Sequence, residues 1–250
     1  IEIAVLPEFS TALESLNSAE RQRIAALLRT HGLKLSAIMA YLPMAAPDAD
    51  VYAQIAATVR AAIDLAAEWT QDGSPPAVIT GIGGNPGQLD ELLPMLVERL
   101  QRVGAYAQAA GVTVALEHHI GTAVETPDEV LRLMANVESR AIGVNFDISH
   151  FNILGIPIDE SVIKMLPVSV HTHIKDERGR HPDFEYVIPG EGEFDYVTYL
   201  REMADHGYDG SISVEISKMV QRRADYDPLA TATRAYQVVN QAFVEAGIER

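Results

Sequence analysis

SVHTHIKDE, residues 169–177, sets two histidines, a lysine and an aspartate into a run that otherwise reads as a β-strand. Alternate residues of a strand face the same side, so His171, His173 and Lys175 share one face and Thr172, Ile174 and Asp176 the other. One histidine on such a face reads as a satisfied core residue. Three titratable groups in phase ask what the neighbouring strands present.

Working outward, short β-rich runs alternate with helix-length segments. The runs are IEIAV (1–5), LKLSAIM (33–39), AVITGI (77–82), VTVALEHH (112–119), IGVNFDIS (142–149), VSVHTHIKD (168–176) and ISVEI (212–216). Between them lie helix signals. Asn17 with Glu20 and Thr126 with Glu129 read as capping boxes, the second with Pro127 at the first helical position. Leu89–Ala110 reads as one amphipathic helix stopped by Gly111, a further helix begins at Phe194 or Asp195, and the last runs from Pro228 to Ala246. Strand–helix alternation at roughly 30–40 residues per unit means parallel strands with crossover helices. A TIM barrel and a doubly wound sheet are the candidates. No G-x-G-x-x-G opens a helix, no P-loop is present, and GIGGNPG (81–87) reads as a β–α turn. The barrel is preferred. A closed barrel has eight strands and seven runs are read, with the chain opening directly on IEIAVLPEF. The expectation is a single domain over 1–250 of TIM (β/α)8 type whose first β–α unit is missing from this sequence, the alternative being a shorter barrel.

The net charge of −16 over 250 residues argues against nucleic acid, which needs basic side chains to replace counterions on phosphates. The absence of cysteine removes disulfides and thiolate ligands. No apolar run reaches the 18 or so residues of a membrane span, and no signal-peptide pattern opens the chain. A cytoplasmic enzyme, with no membrane partner, is the expectation.

In a barrel the chemistry sits at the C-terminal ends of the strands. Four successive runs carry charged or imidazole groups there: Glu117, Asp147, His173 and Glu215, at spacings of 30, 26 and 42 residues. Any one alone reads as a rim residue. Converging carboxylates repel each other unless paired or bound to a cation, and a divalent ion is the simplest remedy. Three carboxylates and one imidazole suit Mn²⁺ or Mg²⁺ first, then Co²⁺ or Zn²⁺.

LEHH, NFDISHFNILG, VHTHIKD, PGEGEFDY and GYDGSISVEI together resemble the xylose isomerase-like TIM barrels. That superfamily includes ketose 3-epimerases, hydroxypyruvate isomerases, inosose dehydratases, 3-dehydroshikimate dehydratases and endonuclease IV. The resemblance implies that Glu117, Asp147, His173 and Glu215 bind one divalent metal, that Glu117 and Glu215 double as acid and base, and that His150 contacts substrate. Ketose 3-epimerases carry Gly-Glu after the metal histidine, where this chain has Lys175-Asp176, so the match leans to the generic isomerase and dehydratase branches. Residues 33–82 hold no histidine, which departs from endonuclease IV.

The expected reaction is isomerisation or epimerisation of a small sugar or polyol-derived ketone. A metal-stabilised enediolate forms as a carboxylate removes the proton beside the carbonyl. Dehydration of an inosose or dehydroshikimate is the alternative on the same scaffold, followed by a non-catalytic sugar-binding barrel. His119, His150 and Lys175 are candidate proton donors or orienters. The polar segment 177–193 reads as a loop that could act as a lid, with Arg178, Arg180 and Glu191 as substrate contacts. Family members are often dimers or tetramers, so a homo-oligomer is expected by resemblance.

Overall fold

The computed structural model describes residues 1–249. The chain forms two compact units, Ile1–Asn145 with Val168–His171, and Phe146–Pro167 with the chain from Thr172 onward.

The first unit follows the β/α alternation read from the sequence. Its elements are β1 (Glu2–Ala4), α1 (Ser18–Thr30), β2 (Ala37–Pro43), α2 (Ala49–Glu68), β3 (Ala77–Gly81), α3 (Leu89–Ala110), β4 (Val114–Glu117), α4 (Pro127–Asn136) and β5 (Ile142–Asp147), which enters the second unit after Asn145. The five strands pair in parallel in chain order, with Ile3 opposite Ile38, Ile38 opposite Val78, Ile79 opposite Ala115 and Leu116 opposite Val144. Ala37, Ile79 and Ala115 pack as one cluster, with Met39 and Ala77 against it. Alternation then carries this face, at the next position along β3 and β4, to Gly81 and Glu117.

The helices end where local chemistry says they should. Thr126 and Glu129 form the reciprocal capping box, and Gly111 takes the left-handed conformation (φ +70°) that closes α3. Leu96, Leu100, Val103 and Ala107 give α3 a buried stripe at helical spacing. Each buried leucine contributes roughly 1.5–3 kcal/mol over an exposed one. Arg99 on the same helix stacks 3.8 Å over the Tyr52 ring and donates to the carbonyls of Met44 and Ala46, fixing the β2–α2 connection.

β2 lies later than LKLSAIM implies. Gln71 takes the backbone of the early part of that run: its Oε1 accepts from Leu35 N at 2.7 Å and its Nε2 donates to Leu33 O at 3.1 Å. The strand therefore starts at Ala37 and continues through Tyr41 to Pro43, with an irregularity between Met39 and Pro43.

The second unit holds α5 (Ile148–Asn152), α6 (Ile158–Met165), the end of β6 (Ser169–Ile174), a hairpin of β7 (Asp176–Arg180) and β8 (Asp183–Val187), α7 (Tyr196–Asp205), β9 (Ile212–Val214), α8 (Lys218–Gln221) and α9 (Pro228–Ala246). β6 and β9 run parallel, His173 opposite Ser213. Asp147 ends β5 and caps α5, accepting from the Ser149 amide at 3.0 Å and its hydroxyl at 2.6 Å.

The segment 177–193 differs from the irregular loop expected. Residues 176–187 form an antiparallel ribbon, Glu177 opposite Tyr186. The turn that follows is clamped. The buried Asp176 carboxylate accepts from the amides of Gly190 (2.7 Å), Gly192 (3.0 Å) and Phe194 (3.2 Å). Arg234 donates to the carbonyls of Pro189 and Gly190, both at 3.0 Å. Glu191, expected as a substrate contact, pairs with Arg223 at 2.9 Å. Among the described residues, no helix is long and apolar enough to cross a membrane.

Candidate active site

In the second unit, one ligand atom each from Asp147, His173 and Glu215 lies within 4.8 Å of the others. Asp147 ends β5, His173 is on β6 and Glu215 follows β9, so three strand ends deliver the set. Asp147 and His173 are buried and Glu215 half-buried. His173 Nδ1 is 3.0 Å from Glu215 Oε2. Lys175, two residues on and on the same face, bonds Asp147 Oδ2 and lies 2.8 Å from Glu215 Oε2. The lysine therefore pairs with these two carboxylates, while its neighbour Asp176 is turned to the backbone amides of the clamped turn.

Burial opposes ionisation of Asp147, but the charges of Lys175 and His150 outweigh it and hold this carboxyl well below its usual range. Glu215 follows the same balance: burial raises it, and Lys175 and His173 bring it down to about 2. Both carboxylates are charged at neutral pH.

His150, one turn into α5, places Nε2 3.3 Å from Asp147 Oδ2, and the Tyr186 hydroxyl lies 2.9 Å from its Nδ1. Burial pushes the Tyr186 phenol up, so it stays protonated beside Nδ1. Nε2 faces Asp147, the carboxyl that the imidazole's charge helps to hold down. Tyr186 also places its ring 5.5 Å from the Lys175 ammonium.

Glu117 ends β4 in the first unit, buried, with Oε2 accepting from the Asn145 amide at 3.0 Å. His119 lies beyond it, Nδ1 at 2.5 Å from the Ile120 carbonyl. A carbonyl only accepts, so Nδ1 carries a proton and donates it there. His118 is fully buried, as its place opposite Glu117 in the alternation implies. His171 Nε2 is 3.3 Å from Glu2 Oε2, a paired buried histidine.

Of the residues named from sequence, the second unit thus gathers Asp147, His150, His173, Lys175 and Glu215. Glu117 and His119 share the end of β4. Arg178 and Arg180 are exposed on the hairpin, Arg178 at 3.4 Å from Glu185 and Arg180 on the carbonyl of Gly179. Neither is brought to the triad. Sequence reading missed Tyr186, whose strand was taken for loop, and Asn145, which alternation alone would have placed on the face of Asp147.

A family model described as xylose isomerase-like TIM barrel matches residues 1–236. The chain belongs to this family. The barrel class read from the sequence is therefore the family's own. Among curated relatives, the inosose dehydratase of Salmonella typhimurium is 28% identical over 171 residues, 62% of this chain and 56% of that protein. The inosose dehydratase of Lactiplantibacillus plantarum is 27% identical over 161 residues, 58% of this chain and 53% of that protein. The chain thus spans little more than half the length of these relatives. Among solved structures, a D-tagatose 3-epimerase-like protein superposes with a TM-score of 0.78 at 21% identity, covering 98% of this chain and 88% of that one. A xylose isomerase-like TIM barrel protein from Mycobacterium smegmatis in complex with magnesium gives 0.69 at 22% identity, covering 94% and 81%. At these identities the structural likeness is one of fold.

The triad fits a divalent cation. Oxygen and imidazole donors suit a hard or borderline ion, and ligands about 2.1 Å from a common centre stand about 3–4 Å apart, within the spread observed here. Such an ion would share Asp147 and Glu215 with Lys175.

Proposed function

We propose that this chain is a metal-dependent enzyme that moves a proton beside the carbonyl of a small sugar or polyol-derived ketone, as an isomerase or epimerase. The observation that carries the reading is the joining of Asp147, His173 and Glu215 at three strand ends, with Lys175 between two of the carboxylates. Glu117, at the end of β4, is proposed as the fourth ligand on the Glu-Asp-His-Glu order and the family resemblance. The ion is Mn²⁺ or Mg²⁺, ahead of Co²⁺ and Zn²⁺.

When bound, the ion supplies Lewis-acid stabilisation of the negative charge that develops on the substrate oxygens. The chain's own groups do the rest. Glu215, ionised at neutral pH, is placed to accept the proton beside the carbonyl, and Glu117 to return one from the other side. Lys175 brings a positive charge to the substrate oxygens. His150, its Nε2 toward Asp147, orients that carboxylate and stands as an acid beside it. His119, beyond Glu117 at the end of β4, is proposed as a substrate contact. Arg178 and Arg180 reach substrate only through the hairpin, and are proposed as outer contacts.

Dehydration is the second reading, favoured by the relatives named inosose dehydratase and by the histidine acid. In that case, loss of the proton beside the carbonyl is followed by loss of a β-hydroxyl as water, with His150 or Lys175 supplying the proton that leaves with it. Incubating chelator-treated protein with ketoses, aldoses and inososes, with and without Mn²⁺, and reading products by NMR tests both. Metal-dependent isomers or epimers support the first reading. An unsaturated or diketone product with loss of water assigns the second. A folded, metal-loaded protein that converts none of them overturns both.

A further inference from the structure

Tyr41 has no role in the reaction above, yet it stands at a decisive place. On β2, β3 and β4, the clustered residues Ala37, Ile79 and Ala115, with Met39 and Ala77, define one face of the sheet. Alternation puts Gly81 and Glu117 on that face, nearest the C-terminal ends of their strands, and Tyr41, in the irregular stretch of β2, brings its ring to Gly81. Gly81 is paired directly with Glu117.

The three positions are fitted to one another. A Cβ at Gly81 would stand 2.7 Å from Cζ of Tyr41, 2.9 Å from Cε1 and 3.0 Å from Cε2, so the outer part of the phenol ring lies against the bare Cα. Any larger residue at position 81 would push the ring away. The ring also meets His119, with centroids 6.3 Å apart and planes tilted by 60°. Tyr41 is half-buried. Gly81 thus has two consequences. It removes a side chain beside the proposed acid–base residue Glu117, and it lets an aromatic face lie in the space gained.

We infer that Tyr41 is a substrate-binding residue, its ring forming, with His119, a wall against which the C–H face of a sugar or cyclic polyol packs beside Glu117. The inference rests on the proposed function for its substrate class. An aromatic face is apolar in its middle and polar at the phenol edge, which matches a polyol ring with axial hydrogens on its face and hydroxyls on its rim. Selectivity then depends on which face of the substrate carries hydrogens, and flat or all-equatorial rings are favoured over those with axial hydroxyls against the wall. The contact is made equally by substrate and transition state, so it lowers KM and leaves kcat alone.

The test uses the whole chain loaded with Mn²⁺ and two readouts. The first is KM and kcat for whichever ketose or inosose it converts. The second is saturation-transfer NMR with myo-inositol, a polyol without a carbonyl, which reports binding whether or not the chain is catalytic. For Tyr41→Ala, KM is expected to rise about tenfold with kcat within twofold, and the inositol signal to be lost. Tyr41→Phe, which keeps the ring, stays within threefold of the wild type in both. Gly81→Ala, which displaces the ring while leaving Tyr41 in the sequence, reproduces the effect of Tyr41→Ala. If Tyr41→Ala is folded by circular dichroism yet leaves KM and the inositol signal unchanged, the wall does not exist, whatever the fate of the proton-transfer reading. If the wild type binds inositol through Tyr41 but converts no ketone, the wall stands and that reading fails alone.

Discussion

The same-face positions of β2, β3 and β4 and those of β6 and β9 obey one alternation but carry opposite chemistry. In the first unit, Ala37, Ile79 and Ala115 are apolar and need no partner. In the second, His173 of β6, Lys175 just past it and Glu215 beyond β9 are ionisable, and Asp147 joins them. Each has a specific partner within the set. An apolar layer is stabilised by burial alone and tolerates similar volumes. A charged layer holds only while its pairs are intact, because removing one member leaves another charge buried without its counterpart. The lesson is that the second unit's stability and its chemistry reside in the same side chains.

The harshest way to break this contrast is Asp147→Ala, which leaves Lys175 buried without its main carboxylate and disrupts the cap of α5. We expect turnover to fall by more than a thousandfold and stability by roughly 3 kcal/mol in urea melts. Ile79→Val, at an apolar position, should cost only about 1 kcal/mol. Equal losses for the two would erase the distinction.

Glu177 sharpens the contrast through pH. Burial pushes its carboxyl up to about 8, although the Asn152 amide bonds one of its oxygens. The folded state therefore keeps a proton that the unfolded chain releases above about 4.5, and stability falls as pH rises from there to 8. Asp147 and Glu215 act in the opposite sense: both are depressed, so their contribution is present above the usual carboxylate range and is lost as pH falls toward 2. Glu177→Gln should abolish the decline between pH 5 and 8 and gain about 3 kcal/mol at pH 8. A variant whose stability still falls over that window by the wild-type amount would show that Glu177 is ionised in the fold.

Lys175→Met removes the ammonium that competes for Asp147 and Glu215. We expect Mn²⁺ affinity by calorimetry to rise about tenfold, and the metal-free protein to melt lower. Weaker metal binding would mean that the lysine supports the ion instead of opposing it. Arg178→Ala sits at the small end. Its ion pair with Glu185 is exposed on both sides, so stability should change by under about 0.5 kcal/mol. A larger loss would mean that the hairpin tip is held by more than its ladder.

Much of this was readable from sequence where the signals were local. Asn17, Thr126, Asp195 and Gly111 marked helix ends because capping is settled within a few residues. Glu117, Asp147, His173 and Glu215 were readable because strand alternation and strand ends place them without knowledge of partners. What failed depended on distant contacts. β2 was drawn too early because Gln71, 36 residues beyond Leu35, takes the backbone of Leu33 and Leu35. The β7–β8 hairpin was missed because DERGR is polar and its ladder partner, DFEYV, lies across a turn. Glu177 drew no attention, since its altered proton affinity comes from burial that its own strand does not announce. Tyr41 and Gly81 mean little apart, and only their contact gives them a role.

The measurement that bears most directly on the central claim is proton NMR in D₂O of a converted ketose or inosose with Mn²⁺-loaded wild type and Glu215→Gln. The account predicts metal-dependent deuterium uptake at the carbon beside the carbonyl for the wild type, and none for Glu215→Gln while its circular dichroism is unchanged. Uptake by Glu215→Gln at the wild-type rate would contradict the assignment of Glu215 as the base.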